Sequence, residues 1–278
     1  MGVFDKFAVQ HNVWTFYDVA VRFNGRVMGG TPNNPDIIRG WLSAKAGITD
    51  EQELAAFTAK TVAELGYPVT EDMTIDQVKE AMGVLEERAH TNAFKRDELG
   101  LYLEDRVVKA CLRENVNILF AGERWGKTKK GPKSFFVERV FVSPARIHLG
   151  RAVADGTQLF IGHTDGPSGR QSNLTRYEYC ESPTLNFSLA VLRDEIGEDI
   201  WPQIWLLGER NGLGSLRSQS MGQFEVVGWE KQPATLERIA AARATAAAEA
   251  RKPLYDDAAA DRILREAAGE LVREPVAV

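Results

Sequence analysis

The spacing of the apolar residues changes once along this chain of 278 residues, near residue 115, and the change limits the folds open to it. Between residues 35 and 114 the apolar residues recur every three to four positions, as on a helix, whereas most later apolar runs resemble strands. An alternating stretch at 14–28, with Asn24-Gly25 as a turn, places a strand or short hairpin before the helices. The order strand, helices, strands predicts an α+β protein.

The helical region begins with three start signals and ends in an apolar stripe. Three helices are predicted within 35–95, and their signals are Asn34 before Pro35, Thr49 with Gln52, and Thr74 with Gln77. A fourth helix is predicted over 97–114, on the stripe of Leu99, Leu103, Val107 and Cys111.

Most of the chain after residue 115 is predicted to be strand. The expected strands lie at 116–120, 135–142, 145–149, 158–162, 184–192 and 223–229. A short helix near 194–208 interrupts them and begins or kinks at Pro202. The Ala-rich tail after 232 is predicted to be a marginal or solvent-exposed helix that docks on a partner.

Composition narrows the functional classes. With 34 Lys and Arg against 39 Asp and Glu, the net charge of -5 argues against polyanion binding by bulk charge, so a nucleic-acid site has to be a local patch. Only two cysteines, Cys111 and Cys180, occur, which fits a reducing, cytoplasmic setting. No run of about 18 apolar residues occurs, so no membrane span is predicted.

Catalytic candidates are few. The four histidines have no metal-ligand spacing, and no nucleotide-binding glycine motif is complete, so neither a metal nor a cofactor is predicted. His163 and Asp165 stand close together in the stretch 162–166, where they are weak candidates for an acid/base or cation site. The alternative is a polar turn that uses Asp and Gly for its geometry.

A local basic zone is the stronger signal. Between 124 and 176 the chain has ten Lys and Arg against three acids, and the densest part, 126–133, is a loop bounded by Gly and Pro. Trp125, Phe135 and Phe136 flank it, and aromatic rings beside cations are typical of single-stranded nucleic-acid sites. The alternative is a solvated loop between two buried strands, with these rings in the core. The binding candidates of this zone are Arg124, Trp125, Lys127, Lys129, Lys130, Lys133, Arg170 and Arg176.

A second candidate is the glycine-rich stretch 207–227, which has glycines at 208, 212, 214 and 222. Such a loop lets backbone amides come close to a ligand, although glycines also simply permit a long turn. The binding candidates here are Arg210, Gly212, Gly214 and Arg217.

The stretch 212–226 resembles the C-terminal glycine-rich loop and following strand of the RAMP superfamily, the RRM-like proteins that include backbone subunits of CRISPR effector complexes. The segment 101–114 resembles the start of that family's first core helix, where Lys109, Leu112 and Arg113 match and Ala110 replaces a glycine. The resemblance places Lys109 and Arg113 against a phosphate backbone.

The resemblance implies an RRM-like or ferredoxin-like antiparallel sheet. On that basis 1–31 holds the first strands, 32–96 a helical insertion, 97–232 the RRM-like core, and 233–278 a helical or flexible tail. It also implies a non-enzymatic protein that coats single-stranded RNA or DNA as a homo-oligomer or filament, with other effector or replication subunits as further partners. A CRISPR-type and a phage replication or recombination role both fit.

Two other functional classes remain open. One is an endoribonuclease of the same superfamily that uses His163 or Asp165. The other is a structural or assembly protein that docks through its C-terminal helix.

Overall fold

The computed structural model describes residues 4–32, 38–39, 50–82, 91–127, 129–166, 169–193 and 195–241, with the backbone alone for 162–166 and 169–174. The helices are α1 (Asp5–Gln10), α2 (Glu51–Glu64), α3 (Ile75–Met82), α4 (Asp105–Leu119), α5 (Pro132–Arg139) and α6 (Ile200–Asn211). The strands are β1 (Trp14–Phe23), β2 (Arg26–Met28), β3 (Thr31–Pro32), β4 (Thr91–Ala93), β5 (Lys95–Asp97), β6 (Gly100–Glu104), β7 (Val140–Ser143), β8 (Arg146–His148), β9 (Gly156–Gly166), β10 (Gly169–Glu181), β11 (Thr184–Leu192) and β12 (Phe224–Gln232).

The central sheet has four antiparallel strands in the order β12-β1-β11-β7. Counted along the chain, this is the order fourth, first, third, second. The helix α4 connects the first of these strands to the second, and α6 connects the third to the fourth. This β-α-β-β-α-β arrangement is ferredoxin-like, so the predicted α+β class and antiparallel core are confirmed.

The core lies between this sheet and the helices α4 and α6. Alternate residues of β1 and β11, such as Val21 and Leu189, are fully buried on one face, as a period of two requires. They pack against Leu112 of α4 and Ile204 of α6, both also fully buried. Burial of apolar surface from the two helices and the sheet therefore holds α4 beside α6.

A buried amide joins α4 to α6 and sets where α6 ends. Asn115 is fully buried, and its Nδ2 donates to the carbonyl of Ile204 at 3.3 Å. Its Oδ1 accepts from Nδ2 of Asn211 at 2.8 Å. Because a buried amide without partners is costly, these bonds fix the register of the two helices. The chain that follows Asn211 is thereby placed beside the first half of α4.

Two smaller sheets surround the core. One has the order β2-β10-β4-β3, and β9 adds to β10 as a long antiparallel hairpin that pairs Gly156 with Tyr179 and Gly166 with Gly169. The other has the order β5-β6-β8. Both lie in the connections between β1 and β11, outside the four-stranded sheet.

The other face of the central sheet is partly covered by the two ends of the described chain. Phe16 packs with Ala8 of α1 and with Ile239, which lies in a helical stretch at 236–241. Arg238 donates two hydrogen bonds to the carboxylate of Asp18, both of 2.9 Å. The predicted C-terminal helix therefore begins on the protein's own sheet, and 242–278 lie outside the described residues.

The helical region differs in part from the sequence prediction. The predicted capping box is present, since Thr74 Oγ1 accepts from the Gln77 amide at 3.3 Å and Gln77 Oε1 accepts from the Thr74 amide at 2.8 Å. The cap of α2 is Asp50, which accepts from the Glu53 amide at 2.8 Å, one residue after the predicted Thr49. The predicted first helix falls mostly outside the described residues, and strands β4 and β5 occupy 91–97.

Three element boundaries were predicted wrongly. The predicted strand 116–120 belongs to α4, because Val116 continues the buried stripe of Val108 and Leu112 at helical spacing. The predicted helix 97–114 begins only at Asp105, since 95–97 and 100–104 pair as a hairpin. The predicted strand 135–142 is helical to Arg139, with Pro132 in the first turn of α5.

No helix among the described residues is both long enough and apolar enough to cross a membrane.

Candidate nucleic-acid interface

A groove of about 380 Å³ lies between α4 and the loop that follows α6. Arg106 and Arg113 line it from α4, and Gly212, Gly214 and Arg217 line it from the loop. Four of these five residues were binding candidates from the sequence, in segments 100 residues apart. The fold brings them together because α4 and α6 pack side by side. We call this feature the arginine groove.

The glycines give the loop wall its shape. Gly212 and Gly222 have φ angles of +76° and +74°, and the Leu213 amide donates to the Gly222 carbonyl at 2.8 Å. A Cβ on Gly222 would lie 1.9 Å from the carbonyl oxygen of Leu213. These two glycines are therefore required by the turn itself, as the simpler interpretation of the glycine-rich stretch predicts.

The guanidinium groups of the arginine groove differ in their partners. Arg217 donates to Glu114 at 2.8 Å, and Arg106 donates through Nε to Glu104 at 2.8 Å. Arg113 is exposed and forms no ion pair with any described residue. Exposed ion pairs contribute at most about 1 kcal/mol, so a phosphate can replace the carboxylate at little cost. Arg106 was not among the binding residues predicted from the sequence. It lies two helical turns before Arg113, and that spacing puts both on one helix face.

Lys109 and Arg210 lie outside the arginine groove. The ammonium of Lys109 is 4.7 Å from the centroid of the Phe141 ring, on the flank of α4 that faces β7. Arg210 is exposed at the end of α6, where its carbonyl accepts from Gln223 Nε2 at 3.2 Å. The sequence placed Lys109 with Arg113, but the structure separates their side chains.

The segment 124–133, which we call the basic loop, is a second cationic surface. Two backbone hydrogen bonds of 2.8 and 3.1 Å join Trp125 to Lys130 and close its turn. Lys130 is held by Glu138, at 2.6 and 2.7 Å from the two carboxylate oxygens. The other cations are exposed and have no ion pair to a described residue: Arg124, Lys127, Lys129 and Lys133.

The aromatic residues beside this loop point into the protein. Phe135 and Phe136 are 2% and 0% exposed, so the suggestion that they stack on bases is wrong. Both rings lie in the core, as the alternative predicts, but the segments that flank the loop are the helices α4 and α5 rather than strands. Trp125 is half-buried, with its centroid 4.9 Å from that of Phe120, and its indole Nε1 donates to Glu123 at 2.8 Å. The loop offers charge rather than free aromatic faces.

The remaining candidates lie on the hairpin of β9 and β10. The predicted polar turn at 162–166 is wrong, because these residues continue β9 and pair with β10, with Asp165 opposite Arg170 and His163 opposite Ser172. The side chains of these four residues are outside the described part of the structure. Arg176 is exposed on β10, opposite Leu159.

A polar cluster that the sequence did not reveal joins β5 to β8. Asp97 Oδ1 lies 2.9 Å from His148 Nε2, and Asp97 Oδ2 accepts from Arg146 at 2.9 Å. Burial acts to raise the pKa of Asp97, but hydrogen bonds from Arg146 and His148 prevail and hold that pKa below its usual value. About 50 residues separate these partners along the chain, so no local sequence pattern predicts the cluster. These hydrogen bonds connect β5 to β8, the two outer strands of the β5-β6-β8 sheet.

The Asp97 cluster predicts an acid-sensitive stability term. Because the folded pKa of Asp97 lies below its unfolded value, the stabilisation is complete above about pH 4 and is lost as the pH falls through the folded pKa. Asp97→Asn is expected to lower the free energy of unfolding at pH 7 by about 1 to 2 kcal/mol, since it weakens the hydrogen bond to the charged Arg146. Urea titrations of both proteins between pH 3 and 7 test this, and a difference that does not shrink in acid contradicts it.

Among the described residues, no group of three or more His, Cys, Asp or Glu side chains is placed to hold a metal ion.

Comparison with known proteins adds little. No family model matches the chain, and no curated protein does. Among solved structures, the chain is similar to one in the "Cryo-EM structure of the Type III-B Cmr-beta bound to cognate target RNA", with 13% identity and a TM-score of 0.40. The match covers 83% of this chain and 64% of that one, so this chain spans less than two thirds of its length. A likeness this distant assigns no function.

Proposed function

We propose that this protein binds single-stranded RNA or DNA, with the phosphates of the strand held in the arginine groove. The observation that supports this is the convergence of Arg106, Arg113 and Arg217 on one groove, beside the backbone of the glycine loop at 212–222. The proposal concerns binding and not cleavage.

The chemistry of the arginine groove fits a phosphate chain. A guanidinium group presents a planar fork of donors that matches two phosphate oxygens, and it keeps its charge at any physiological pH. With a net charge of -5 the whole chain repels a polyanion, so binding has to come from such a local cluster. The half-buried carboxylate of Glu104 and the exposed carboxylate of Glu114 hold two of the arginines in place before the strand arrives.

The basic loop has a supporting role in this proposal. Its exposed cations attract the strand over a distance of about one Debye length, some 8 Å in physiological salt. Since Phe135 and Phe136 are buried and Trp125 is half-buried, the loop contributes steering and little base stacking. We further propose that several copies coat one strand, which sedimentation of the protein with strands of increasing length tests.

The proposal is tested by fluorescence anisotropy with labelled single-stranded 30-mers of RNA and of DNA at several salt concentrations. Arg113→Ala with Arg217→Ala is expected to weaken binding at least about tenfold, because two charge-assisted contacts to phosphate are lost. The salt slope is expected to fall by about 0.7 for each phosphate contact removed.

Arg22→Ala is the matched control, because Arg22 also pairs with an exposed glutamate, Glu225 at 2.9 Å, but lies on the central sheet away from the groove. It is expected to bind like the unchanged protein. Equal affinity of the groove variant and the control would refute the arginine groove as the binding site. Loss of intact strand during the same incubation, with or without Mg²⁺, would favour the endoribonuclease class instead.

A further inference from the structure

A second cavity, of about 200 Å³, opens beside the arginine groove. The two share Arg106, Val107 and Gly214 as lining residues, so they lie next to each other. The cavity leads away from the glycine loop towards β4, β5 and β6. A strand held in the groove therefore passes the mouth of this cavity.

The lining of the cavity combines apolar side chains with the polar residues Thr31, Lys95, Glu104, Arg106 and Ser215. Met28, Phe94 and Tyr102, each at most 2% exposed, form part of its lining, and Ala93 extends it. At about 30 Å³ per water molecule, the space corresponds to roughly seven waters, which is enough for one flat ring system. Apolar side chains beside a space of this size suit the faces of a nucleobase better than a phosphate or a sugar.

One edge of the cavity carries an ordered chain of charges. Glu104 lies between Lys95 and Arg106, with Oε1 3.5 Å from the Lys95 ammonium and Oε2 2.8 Å from Nε of Arg106. The side chains of Lys95 and Glu104 are 17% and 18% exposed, whereas that of Arg106 is 69% exposed. Arg106 is thus the member free to turn outward, and Glu104 is the member held at the cavity edge.

We propose that this cavity takes one base of the bound strand and prefers a base with an exocyclic amino group, of the cytosine type, which donates to Glu104. The inference rests on the proposed function, because the arginine groove has to hold the strand first. When Arg106 turns to a phosphate, Oε2 of Glu104 loses that one partner and accepts from the amino group, since a carboxylate oxygen can accept more than one hydrogen bond. A carboxylate that accepts from the cytosine amino group is a known pairing in base recognition.

The same geometry disfavours uracil and thymine. Where cytosine has an amino group, uracil has a carbonyl oxygen, and that oxygen and the carboxylate of Glu104 both accept hydrogen bonds. Two acceptors facing each other form no hydrogen bond, and both are left unsatisfied once the base has displaced the water between them. Cytosine and uracil otherwise have the same ring, so the comparison isolates the group that Glu104 contacts.

The test is anisotropy with labelled RNA 15-mers of cytidine and of uridine at pH 7.5, where cytosine is neutral. We expect about a fivefold to tenfold preference for the cytidine strand, in the range of one base contact. Glu104→Gln is expected to bring the two affinities together, because an amide both donates and accepts. Ser215→Leu, which adds bulk at the cavity wall, provides a second variant if Glu104→Gln fails to fold, and it too is expected to remove the preference.

Glu225→Gln is the control, since Glu225 is likewise paired with an arginine but lies on β12, outside the cavity. It is expected to keep the preference. Equal binding of both strands by the unchanged protein, or a preference that survives both cavity variants, would overturn the base pocket while leaving the arginine groove intact. Failure of the unchanged protein to bind either of these strands, together with failure to bind the 30-mers of RNA and of DNA, would refute the proposed function itself.

Discussion

Gly222→Ala is expected to lower the free energy of unfolding by about 3 kcal/mol or more, the largest stability effect of any single methyl group added to this loop. A left-handed backbone costs a residue with a Cβ about 1 to 2 kcal/mol, and Gly222 has a φ of +74°. The new Cβ would also lie 1.9 Å from the backbone oxygen of Leu213, and relieving such crowding costs about 1 to 3 kcal/mol more. Urea denaturation followed by tryptophan fluorescence measures the change.

Two other glycines separate the backbone cost from the clash. Gly122 has a φ of +85° with no atom within 4 Å of an added Cβ, so Gly122→Ala is expected to lose only about 1 kcal/mol. Gly25 has open space as well and no positive φ, so Gly25→Ala is expected to change stability by less than about 0.5 kcal/mol. Equal losses for the Gly122 and Gly222 variants would show that the loop yields to the methyl group, and the rigid groove wall would then be disproved.

Patterns that depend on neighbours in sequence predicted much of this fold. The strand at 184–192 has the predicted limits, because alternation of buried and exposed residues is a local signal. The capping box of Thr74 and Gln77 is equally local, since its two partners are three residues apart. The change from helical spacing to a period of two was enough to predict the α+β class.

The errors arose where a short apolar run fits both a helix and a strand. The run 116–120 has strand-like composition, but the burial of Val116 in the main core favours continuation of α4. The strand predicted at 135–142 was wrong for a similar reason. Phe135 and Phe136 fill the core from a helix that starts at Pro132. In both segments the local sequence is compatible with a helix and with a strand, and tertiary packing favours the helix.

The sequence predicted most residues of the candidate site one by one, but it did not predict how they are arranged in space. Arg113, Gly212, Gly214 and Arg217 were recognised from their types and from the family resemblance, and they do share a groove. Lys109 was grouped with Arg113 by the family resemblance, yet its ammonium lies over the ring of Phe141 and outside the arginine groove. The role of Glu104 between Lys95 and Arg106 depends on the pairing of β5 with β6, which no local pattern specifies.

Arg113→Glu with Arg217→Glu is expected to weaken binding to a single-stranded 30-mer at least about 100-fold, which corresponds to roughly 2.7 kcal/mol. Two donors to phosphate are replaced by two carboxylates, so the strand meets repulsion where it now finds guanidinium groups. The fold should survive, because Arg113 forms no ion pair with a described residue and Arg217 gives up only an exposed pair with Glu114. Anisotropy for binding and thermal unfolding for stability are the two measurements.

Lys127→Glu with Lys129→Glu is the decisive comparison, because it changes the net charge of the chain by the same amount at the basic loop. If proximity to the phosphates governs affinity, the groove variant loses far more than the loop variant, for which we expect about tenfold from weaker steering. A larger loss for the loop variant would move the binding site to the basic loop. Equal losses would mean that overall charge alone controls binding, and the converging guanidinium groups of Arg106, Arg113 and Arg217 would then have no special part in it.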